Sequence, residues 1–193
     1  MGRKKEYDRD DVLSRAMGLF WKAGFEGAHL STLVDVTGLN RFSLYKEFGG
    51  KEGLFQEAFE LYLVGARDAY ARYLEHEPYG FENIRSYFSA VHFSPDYHGC
   101  FLINTLADKH VVPGKAFRMA KAFSKDAERM FLKNLEAAKS SGELPADSPT
   151  KVLAKLLLSF DQGLAIYGIV RPNNTDKTQI VSLILEFITR RVF

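Results

Sequence analysis

Hydrophobic residues recur at three- and four-residue spacing along most of this chain of 193 residues. The first stripe covers residues 12 to 23, follows the good N-cap residue Asp8 and ends at Gly24. Two shorter stripes lie on either side of Gly38, within residues 31 to 51. Glycine adopts a positive φ at little cost, so it suits a tight turn between two helices. The pattern therefore predicts one helix followed by a helix-turn-helix.

The second helix of this predicted helix-turn-helix has one apolar and one polar face. Leu39, Leu44 and Phe48 form the apolar face. The outer face carries hydrogen-bonding and charged side chains, namely Asn40, Arg41, Ser43, Lys46 and Glu47. A helix of this width and polarity fits the major groove of DNA. These residues are therefore candidates for a DNA-reading surface.

The rest of the chain continues in helical periodicity, delimited by the six prolines. The predicted helices span residues 51 to 77, 80 to 93, 99 to 109, 114 to 141, 148 to 170 and 176 to 192. No alternating run is long enough to form a sheet. We therefore predict an all-α protein.

Residues 38 to 55, GLNRFSLYKEFGGKEGLF, contain a small-residue, Leu-Tyr, Phe and Lys-Glu-x-Leu pattern, and residues 20 to 25 read FWKAGF. In these segments, which cover about the first 55 residues, the chain resembles the TetR/AcrR family of bacterial transcriptional regulators. The resemblance implies an N-terminal three-helix DNA-binding domain with a helix-turn-helix over residues 1–52. It also implies a helical C-terminal domain for effector binding and dimerisation over residues 53–193.

The resemblance also implies which side chains contact DNA: Ser31, Thr32, Arg41, Phe42, Ser43, Tyr45, Lys46 and Lys51. Chemistry supports two of them independently, because an arginine bonds guanine bidentately and a phenylalanine contacts a thymine methyl. Ser31 and Thr32 sit near a helix N-terminus, where hydroxyls donate to phosphate.

Two positions depart from the family pattern. His29 stands where the family places a threonine N-cap, so Ser31 is an alternative cap. Glu47 would repel the DNA backbone, although it could accept a bond from cytosine, and its role stays open. The basic arm Arg3, Lys4 and Lys5 either reaches the DNA or is a solvated terminus.

Charge and cysteine content limit which kinds of protein this chain can be. The net charge is +2, and the whole surplus lies in residues 1–51, which hold nine Lys and Arg against seven Asp and Glu. The excess agrees with a DNA-binding segment but is too small to establish one. A single cysteine excludes an internal disulfide and a cysteine-based zinc cluster. Because the N-terminus also lacks the pattern of a secretory signal, we expect a cytoplasmic protein.

The last two predicted helices are more apolar than one buried face requires. Residues 152 to 170 approach the length of a membrane span, but Lys155, Asp161 and Gln162 make insertion costly, so no membrane partner is expected. Two such helices from each of two chains would form a four-helix interface, which is also where the family dimerises. We therefore expect a homodimer through the last two helices, facing a palindromic DNA site.

The second half of the chain is rich in aromatic residues, which suits an apolar cavity between helices. The candidate pocket residues are Phe88, His92, Asn104, Phe131, Phe160, Gln162 and Tyr167. The alternative for Asn104 is a hydrogen bond to a buried backbone group, and for the other six it is plain core packing. His92, His98 and His110 lack the spacing of a helical metal pair, so neither a metal site nor a cofactor is predicted.

The chain contains no Gly-x-Ser-x-Gly elbow, phosphate loop, dinucleotide fingerprint or His-Glu-x-x-His motif, so we do not expect an enzyme. The sequence predicts a ligand-responsive repressor that binds a palindromic operator in double-stranded DNA as a homodimer. A small molecule of unknown identity would release it. Nothing in the residues sets the sign of regulation. The alternative is an all-α small-molecule carrier or enzyme whose helix-turn-helix is structural.

Overall fold

A computed structural model describes residues 7–190, and Arg3, Lys4 and Lys5 lie outside this range. The described helices are α1 (Arg9–Gly27), α2 (Leu30–Thr37), α3 (Arg41–Phe48), α4 (Lys51–Leu74), α5 (Phe81–Ala90), α6 (Phe101–Ala107), α7 (Gly114–Ser141), α8 (Thr150–Val170) and α9 (Asn174–Thr189). Residues 7–190 contain no strand, and the predicted all-α fold is confirmed.

The first helix begins as the sequence predicts. The Asp8 carboxylate accepts a hydrogen bond of 2.9 Å from the Asp10 N–H, which satisfies a free donor of the first turn. The helical path breaks at Gly24, whose φ is 72° and ψ is 176°. A further turn then runs to Gly27, so the predicted end at Gly24 is a break within α1.

The described chain divides into two compact units. The first contains residues 7–65 and 100–121, and the second contains residues 66–99 and 122–190. Both α4 and α7 contribute residues to each unit. The domain boundary between residues 52 and 53 stays a prediction.

Aromatic rings from α1, α4 and α6 form the core of the first unit. The Phe20 and Phe55 rings meet edge to face with centroids 4.9 Å apart, and Phe55 meets Phe101 in the same way at 5.5 Å. All three side chains are buried. Burying such rings stabilises a fold by several kcal/mol each, of the order of 3–5 kcal/mol for Phe→Ala. Helices α2 and α3 belong to the same unit as this core.

In the second unit, two buried asparagines cap the end of α4. The Asn134 amide donates to the Leu74 carbonyl at 2.9 Å, and the Asn83 amide donates to the His76 carbonyl at 3.0 Å. A proline disfavours the helical conformation in the residue before it, which here is Glu77. Helix α4 therefore ends at Leu74 rather than at residue 77 as predicted.

Asn174, the first residue of α9, sets a boundary in a distant segment. Its side chain accepts from the Phe93 N–H and donates to the Phe93 carbonyl, both at 2.9 Å. Phe93 therefore pairs with α9 and not within its own helix, and α5 ends at Ala90 rather than at residue 93. Helix α9 begins two residues earlier than predicted, because the Asn173 side chain caps it.

Apolar side chains remain on the surface of α8 and α9. By length and composition, α8 is the described helix that is long and apolar enough to cross a membrane. Eight of the thirteen exposed large hydrophobic residues in the described chain lie on these two helices: Val152, Leu156, Ile166, Ile169, Val170, Ile180, Leu183 and Phe187. We call this group the α8–α9 apolar face.

Candidate nucleic-acid interface

The turn between α2 and α3 is held by its own side chains. Gly38 has a φ of 71° and donates its N–H to the Val34 carbonyl at 3.0 Å. The Thr37 hydroxyl donates to the Leu33 carbonyl at 2.5 Å and accepts from the Leu39 N–H at 3.3 Å. The predicted glycine turn is therefore confirmed, with a threonine that the sequence analysis did not single out.

Helix α3 is fixed at both ends. The Asn40 side chain accepts a hydrogen bond of 2.8 Å from the Ser43 N–H. At the other end Gly49 has a φ of 74° and donates its N–H to the Tyr45 carbonyl at 2.9 Å. Both ends use standard capping devices. Asn40, predicted on the outer face, thus serves as the N-cap.

The apolar side of α3 is buried within the first unit. Leu44 is fully buried and Phe48 is nearly so, together with Leu33 from α2 and Leu39 from the turn. This packing determines the rotation of α3 about its axis, because residues three and four apart share a face.

The opposite side of α3 is open to solvent. Phe42 is 75% exposed and Tyr45 is 57% exposed, which is unusual for aromatic side chains. Arg41 and Lys46 are exposed beside them, and Ser43 is half-buried. The structure therefore brings five of the predicted DNA-contacting residues to one helix. We call Arg41, Phe42, Tyr45 and Lys46 the α3 outer face.

Gly50 permits the position of the Tyr45 side chain. A Cβ atom at residue 50 would lie 3.1 Å from a carbon of the Tyr45 ring, which is closer than an ordinary contact. The φ of Gly50 is 115°, a conformation that L side chains rarely adopt. Glycine at this position thus allows the chain to pass under the Tyr45 ring.

Arg9 links three helices of the first unit. Its guanidinium lies 2.5 Å from the Glu57 carboxylate of α4 and 4.9 Å from the centre of the Phe48 ring at the end of α3. A cation over an aromatic face is attractive by about 0.5–1 kcal/mol at an exposed site. Arg9 therefore supports the end of α3 from α1, a role that the sequence analysis missed.

Lys51 is engaged within the first unit. Its ammonium donates to the Glu26 carbonyl at 3.3 Å and lies 4.6 Å from the centre of the Phe25 ring. Desolvation lowers the pKa of Lys51, against a smaller raising effect of Glu26. A phosphate contact by Lys51, as the family resemblance implies, would require the ammonium to leave these partners or to share them.

The two remaining residues predicted to contact DNA lie on α2. Ser31 is exposed and Thr32 is half-buried, both in its first turn. His29 occupies the N-cap position and makes no side-chain capping bond. Ser31 lies inside the helix, so its proposed role as the N-cap is wrong, because α2 begins at Leu30.

Three of the predicted pocket residues lie together in the second unit. The Phe88 ring stacks on Phe131 at 5.7 Å and approaches Phe160 at 5.3 Å. His92 is exposed, with its Nε2 3.4 Å from the Asn174 amide nitrogen. The other three predicted residues, all half-buried, are Gln162 and Tyr167 on α8, and Asn104 on α6 of the first unit.

The sequence analysis missed a buried acid beside this ring cluster. Asp161 on α8 accepts a hydrogen bond from the Tyr70 hydroxyl at 2.5 Å and another from the Tyr87 hydroxyl at 2.9 Å. Burial raises the pKa of the Asp161 carboxyl, although the two tyrosine bonds act in the opposite direction. The available signal was spacing, because Asp161 lies four residues from both Leu157 and Ala165 on the buried face of α8.

Within residues 7–190, no group of three or more His, Cys, Asp or Glu side chains is arranged to hold a metal ion. The α3 outer face offers exposed cationic and aromatic side chains.

Comparison with known proteins agrees with this geometry. Residues 12–58 match the family model described as "Bacterial regulatory proteins, tetR family". The chain is 33% identical over 170 residues to the HTH-type transcriptional repressor ComR of Escherichia coli (strain K12), covering 86% of this chain and 81% of ComR. It is 34% identical over 162 residues to the uncharacterized HTH-type transcriptional regulator YezE of Bacillus subtilis (strain 168), covering 81% of this chain and 84% of YezE.

Solved structures show the same fold. One is a cysteine mutant of the TetR family transcriptional regulator CifR, complexed with 26bp double-strand operator DNA. Its sequence is 30% identical to that of this chain, and the two structures superpose with a TM-score of 0.81. The match covers 96% of this chain and 98% of the CifR chain. The matches extend well beyond the helix-turn-helix into the second unit. This chain belongs to the tetR family of bacterial regulatory proteins.

Proposed function

We propose that this protein is a transcriptional repressor that binds an operator in double-stranded DNA as a homodimer and is released by a small-molecule effector. The α3 outer face carries this conclusion, because it exposes Phe42 and Tyr45 beside Arg41 and Lys46 while the opposite face of α3 is buried. The relatives are transcriptional regulators, so the alternative of an all-α carrier or enzyme is not favoured.

In this proposal the side chains of the α3 outer face divide into base readers and backbone contacts. Arg41 and Phe42 occupy the first turn of α3, the part of a recognition helix that meets base edges. Arg41 pairs with guanine, and Phe42 contacts a thymine methyl. Tyr45, Lys46, Ser31, Thr32 and Lys51 contact the phosphate backbone, which gives affinity but little base preference.

The α8–α9 apolar face supports the homodimer. Exposed apolar side chains gathered on two adjacent helices favour burial against a second copy. A two-fold axis would then place two α3 helices about one duplex turn, roughly 34–36 Å, apart. We propose the DNA-binding function for residues 1–52, with dimerisation and effector binding in residues 53–193.

Effector control follows from differential affinity. An effector that binds better when the two α3 helices are wrongly spaced lowers operator affinity by the ratio of its affinities for the two states. The candidate pocket residues of the second unit, centred on Phe88, Phe131 and Phe160, would receive it. A repressor of this kind works in the cytoplasm and needs no catalytic residue.

Selection of bound sequences from a random duplex pool tests the proposal. The purified protein should enrich an inverted repeat whose half-sites are one helical turn apart. Binding should weaken steeply between 50 and 200 mM salt, because phosphate contacts release counterions. Enrichment of no sequence, or binding that ignores salt, would contradict the proposal.

Two substitutions sharpen the same experiment. Arg41→Ala should lose preference at one base position, by about 1–3 kcal/mol, whereas Arg72→Ala, an exposed arginine on α4, should leave the selected sequence unchanged. Leu183→Glu, at a position 70% exposed on α9, should yield a monomer by light scattering. Val64→Glu, at a position 60% exposed on α4, is its matched control and should remain dimeric.

A further inference from the structure

We propose that Asp161, held by Tyr70 and Tyr87, is the recognition group for an organic cation, so that the effector is an ammonium compound with an apolar or aromatic body. This inference rests on the proposed function, because it names the chemical class of the small molecule that the second unit receives. It is carried by the geometry of one carboxylate and five rings.

The carboxyl group of Asp161 is oriented by two hydrogen bonds and has no ion-pair partner among the described residues. Its Oδ2 accepts from the Tyr70 hydroxyl at 2.5 Å and its Oδ1 accepts from the Tyr87 hydroxyl at 2.9 Å. Both partners are neutral donors, and the ion pairs described within residues 7–190 include none with Asp161. A carboxylate offers about four lone-pair sites, so about two remain for a further donor.

The two tyrosines that hold the acid belong to a cluster of aromatic rings. The Tyr70 and Tyr87 rings lie 4.8 Å apart, and Tyr87 lies 5.1 Å from Phe88 and 5.5 Å from Phe131. Phe160 precedes Asp161 in α8 and approaches Phe88 at 5.3 Å. The faces of such rings attract a cation, and their apolar surface packs against a hydrocarbon body. The cluster thus provides both features that bind an organic ammonium ion.

Asp161 occupies a core position on α8. It lies on the α8 face that buries Leu157 and Ala165, where a charge is costly unless it is paired. As whole residues Asp161 and its neighbours Phe160 and Gln162 are half-buried, although the carboxyl group itself is desolvated. A carboxyl group that has only neutral partners in its own protein is suited to a cationic partner supplied by a ligand.

The same geometry discriminates between ligand classes. An anion would be repelled by the like charge of the Asp161 carboxylate. A neutral alcohol can donate a hydrogen bond to the carboxylate, but gains no ion pair and no cation–π attraction. An ammonium ion gains all three, and hydrogen bonds to charged groups are about twice as strong as neutral ones.

Three soluble probes of nearly the same shape test this order: benzylammonium, benzyl alcohol and benzoate. Their binding to the full-length protein is measured at neutral pH by calorimetry and by the shift of the thermal unfolding midpoint. We expect benzylammonium to bind about tenfold more tightly than benzyl alcohol, and benzoate not to bind. Equal binding of the three, preference for benzoate, or no binding by any of them would overturn the proposal.

Variants assign the preference to this carboxylate. Asp161→Asn keeps the shape and removes the charge, so the preference for benzylammonium should fall below about twofold. Tyr87→Phe frees one carboxylate oxygen but leaves the charge, so this variant should retain the preference for benzylammonium. Its binding can be measured even if Asp161→Asn folds poorly. Asp96→Asn, at an exposed loop position, should behave as the original protein. A preference that survives Asp161→Asn would contradict the assignment.

The outcome is separable from that of the proposed function. If the probes fail but the protein still selects an operator, the effector class is wrong and the repressor stands. If no operator is selected, the repressor itself is wrong, whatever the probes do.

Discussion

The α3 outer face and the Asp161 cluster hold their polar groups in opposite ways. Arg41, Phe42 and Tyr45 project into solvent from a short helix whose other face is buried. Asp161 instead lies at a core position, where two tyrosine hydroxyls hold it among aromatic rings. The first surface is exposed to solvent, whereas the second is enclosed among side chains of its own unit.

This difference shows at which residues a substitution can change binding without changing the stability of the fold. An exposed side chain can be chosen for DNA recognition at almost no cost in folding free energy, because surface substitutions change stability by about 0.5 kcal/mol or less. A buried carboxylate is costly unless its hydrogen bonds are made. We therefore expect substitutions on the α3 outer face to change binding alone, and substitutions around Asp161 to change stability as well.

The two faces of α3 should show the largest contrast. Leu44→Ala removes a fully buried side chain and should lower the free energy of unfolding by about 2–5 kcal/mol. Phe42→Ala on the exposed face should change it by no more than about 0.5 kcal/mol while weakening operator binding. Urea denaturation of both variants measures the contrast. Similar losses in the two would show that the outer face is packed against protein.

Two tyrosines offer a matched comparison between the regions. Tyr70→Phe leaves Oδ2 of Asp161 without its donor and should cost about 1–3 kcal/mol of stability. Tyr45→Phe removes a hydroxyl from an exposed ring and should be nearly neutral. Thermal unfolding of the two single variants is sufficient. Equal midpoints would mean that the hydroxyl of Tyr70 contributes nothing to holding the carboxylate.

Substitutions at the N-caps of α2 and α3 should show a smaller difference in stability. Asn40→Ala removes the acceptor for the Ser43 N–H and should cost about 1 kcal/mol. His29→Ala is the control, because His29 makes no side-chain capping bond and its loss should be close to neutral. Chemical denaturation monitored by helical circular dichroism distinguishes them. A larger loss for His29→Ala would contradict the assigned caps.

The pH dependence of stability gives the smallest and most specific effect. Because burial raises the pKa of Asp161, the folded chain holds its proton over a pH interval in which the unfolded chain has lost it. Stability therefore falls as the pH rises through that interval, which begins at the ordinary carboxyl value of about 4. Tyr70 and Tyr87 are the titratable groups that donate to the carboxylate, and burial raises the pKa of Tyr87.

Asp161→Asn removes this titration. The stability of this variant relative to the original protein should thus increase from pH 4 upward, as measured by thermal midpoints across a pH series. A relative stability that is constant or decreases with pH would show that Asp161 does not carry a raised pKa.

The sequence predicted the first unit better than the second for a physical reason. Helix α3, Gly38 and the start at Asp8 depend on contacts within a few residues, which periodicity and capping rules describe. The end of α4 depends on Asn83 and Asn134, and the end of α5 depends on Asn174, all distant in sequence. Tertiary hydrogen bonds of this kind override local helix preference.

The candidate sites follow the same rule. Five of the eight predicted DNA contacts lie on α3 because one short motif specifies its fold and face. Asp161 was counted only as a charge that disfavours membrane insertion, because its partners Tyr70 and Tyr87 are 91 and 74 residues away. Phe88, Phe131 and Phe160 are predicted from aromatic content, and the structure places Phe88 and Phe131 beside Tyr87, one of the tyrosines that hold this unpredicted acid.

Operator affinity of two variants, measured side by side without any effector, tests the division of labour most directly. Arg41→Ala should bind the selected operator about tenfold or more weakly than the original protein, and lose its preference at one base position. Asp161→Asn should bind the same operator within about twofold. Unchanged binding by Arg41→Ala, or loss of binding by Asp161→Asn, would contradict the assignment of DNA recognition to α3 and of effector recognition to the second unit.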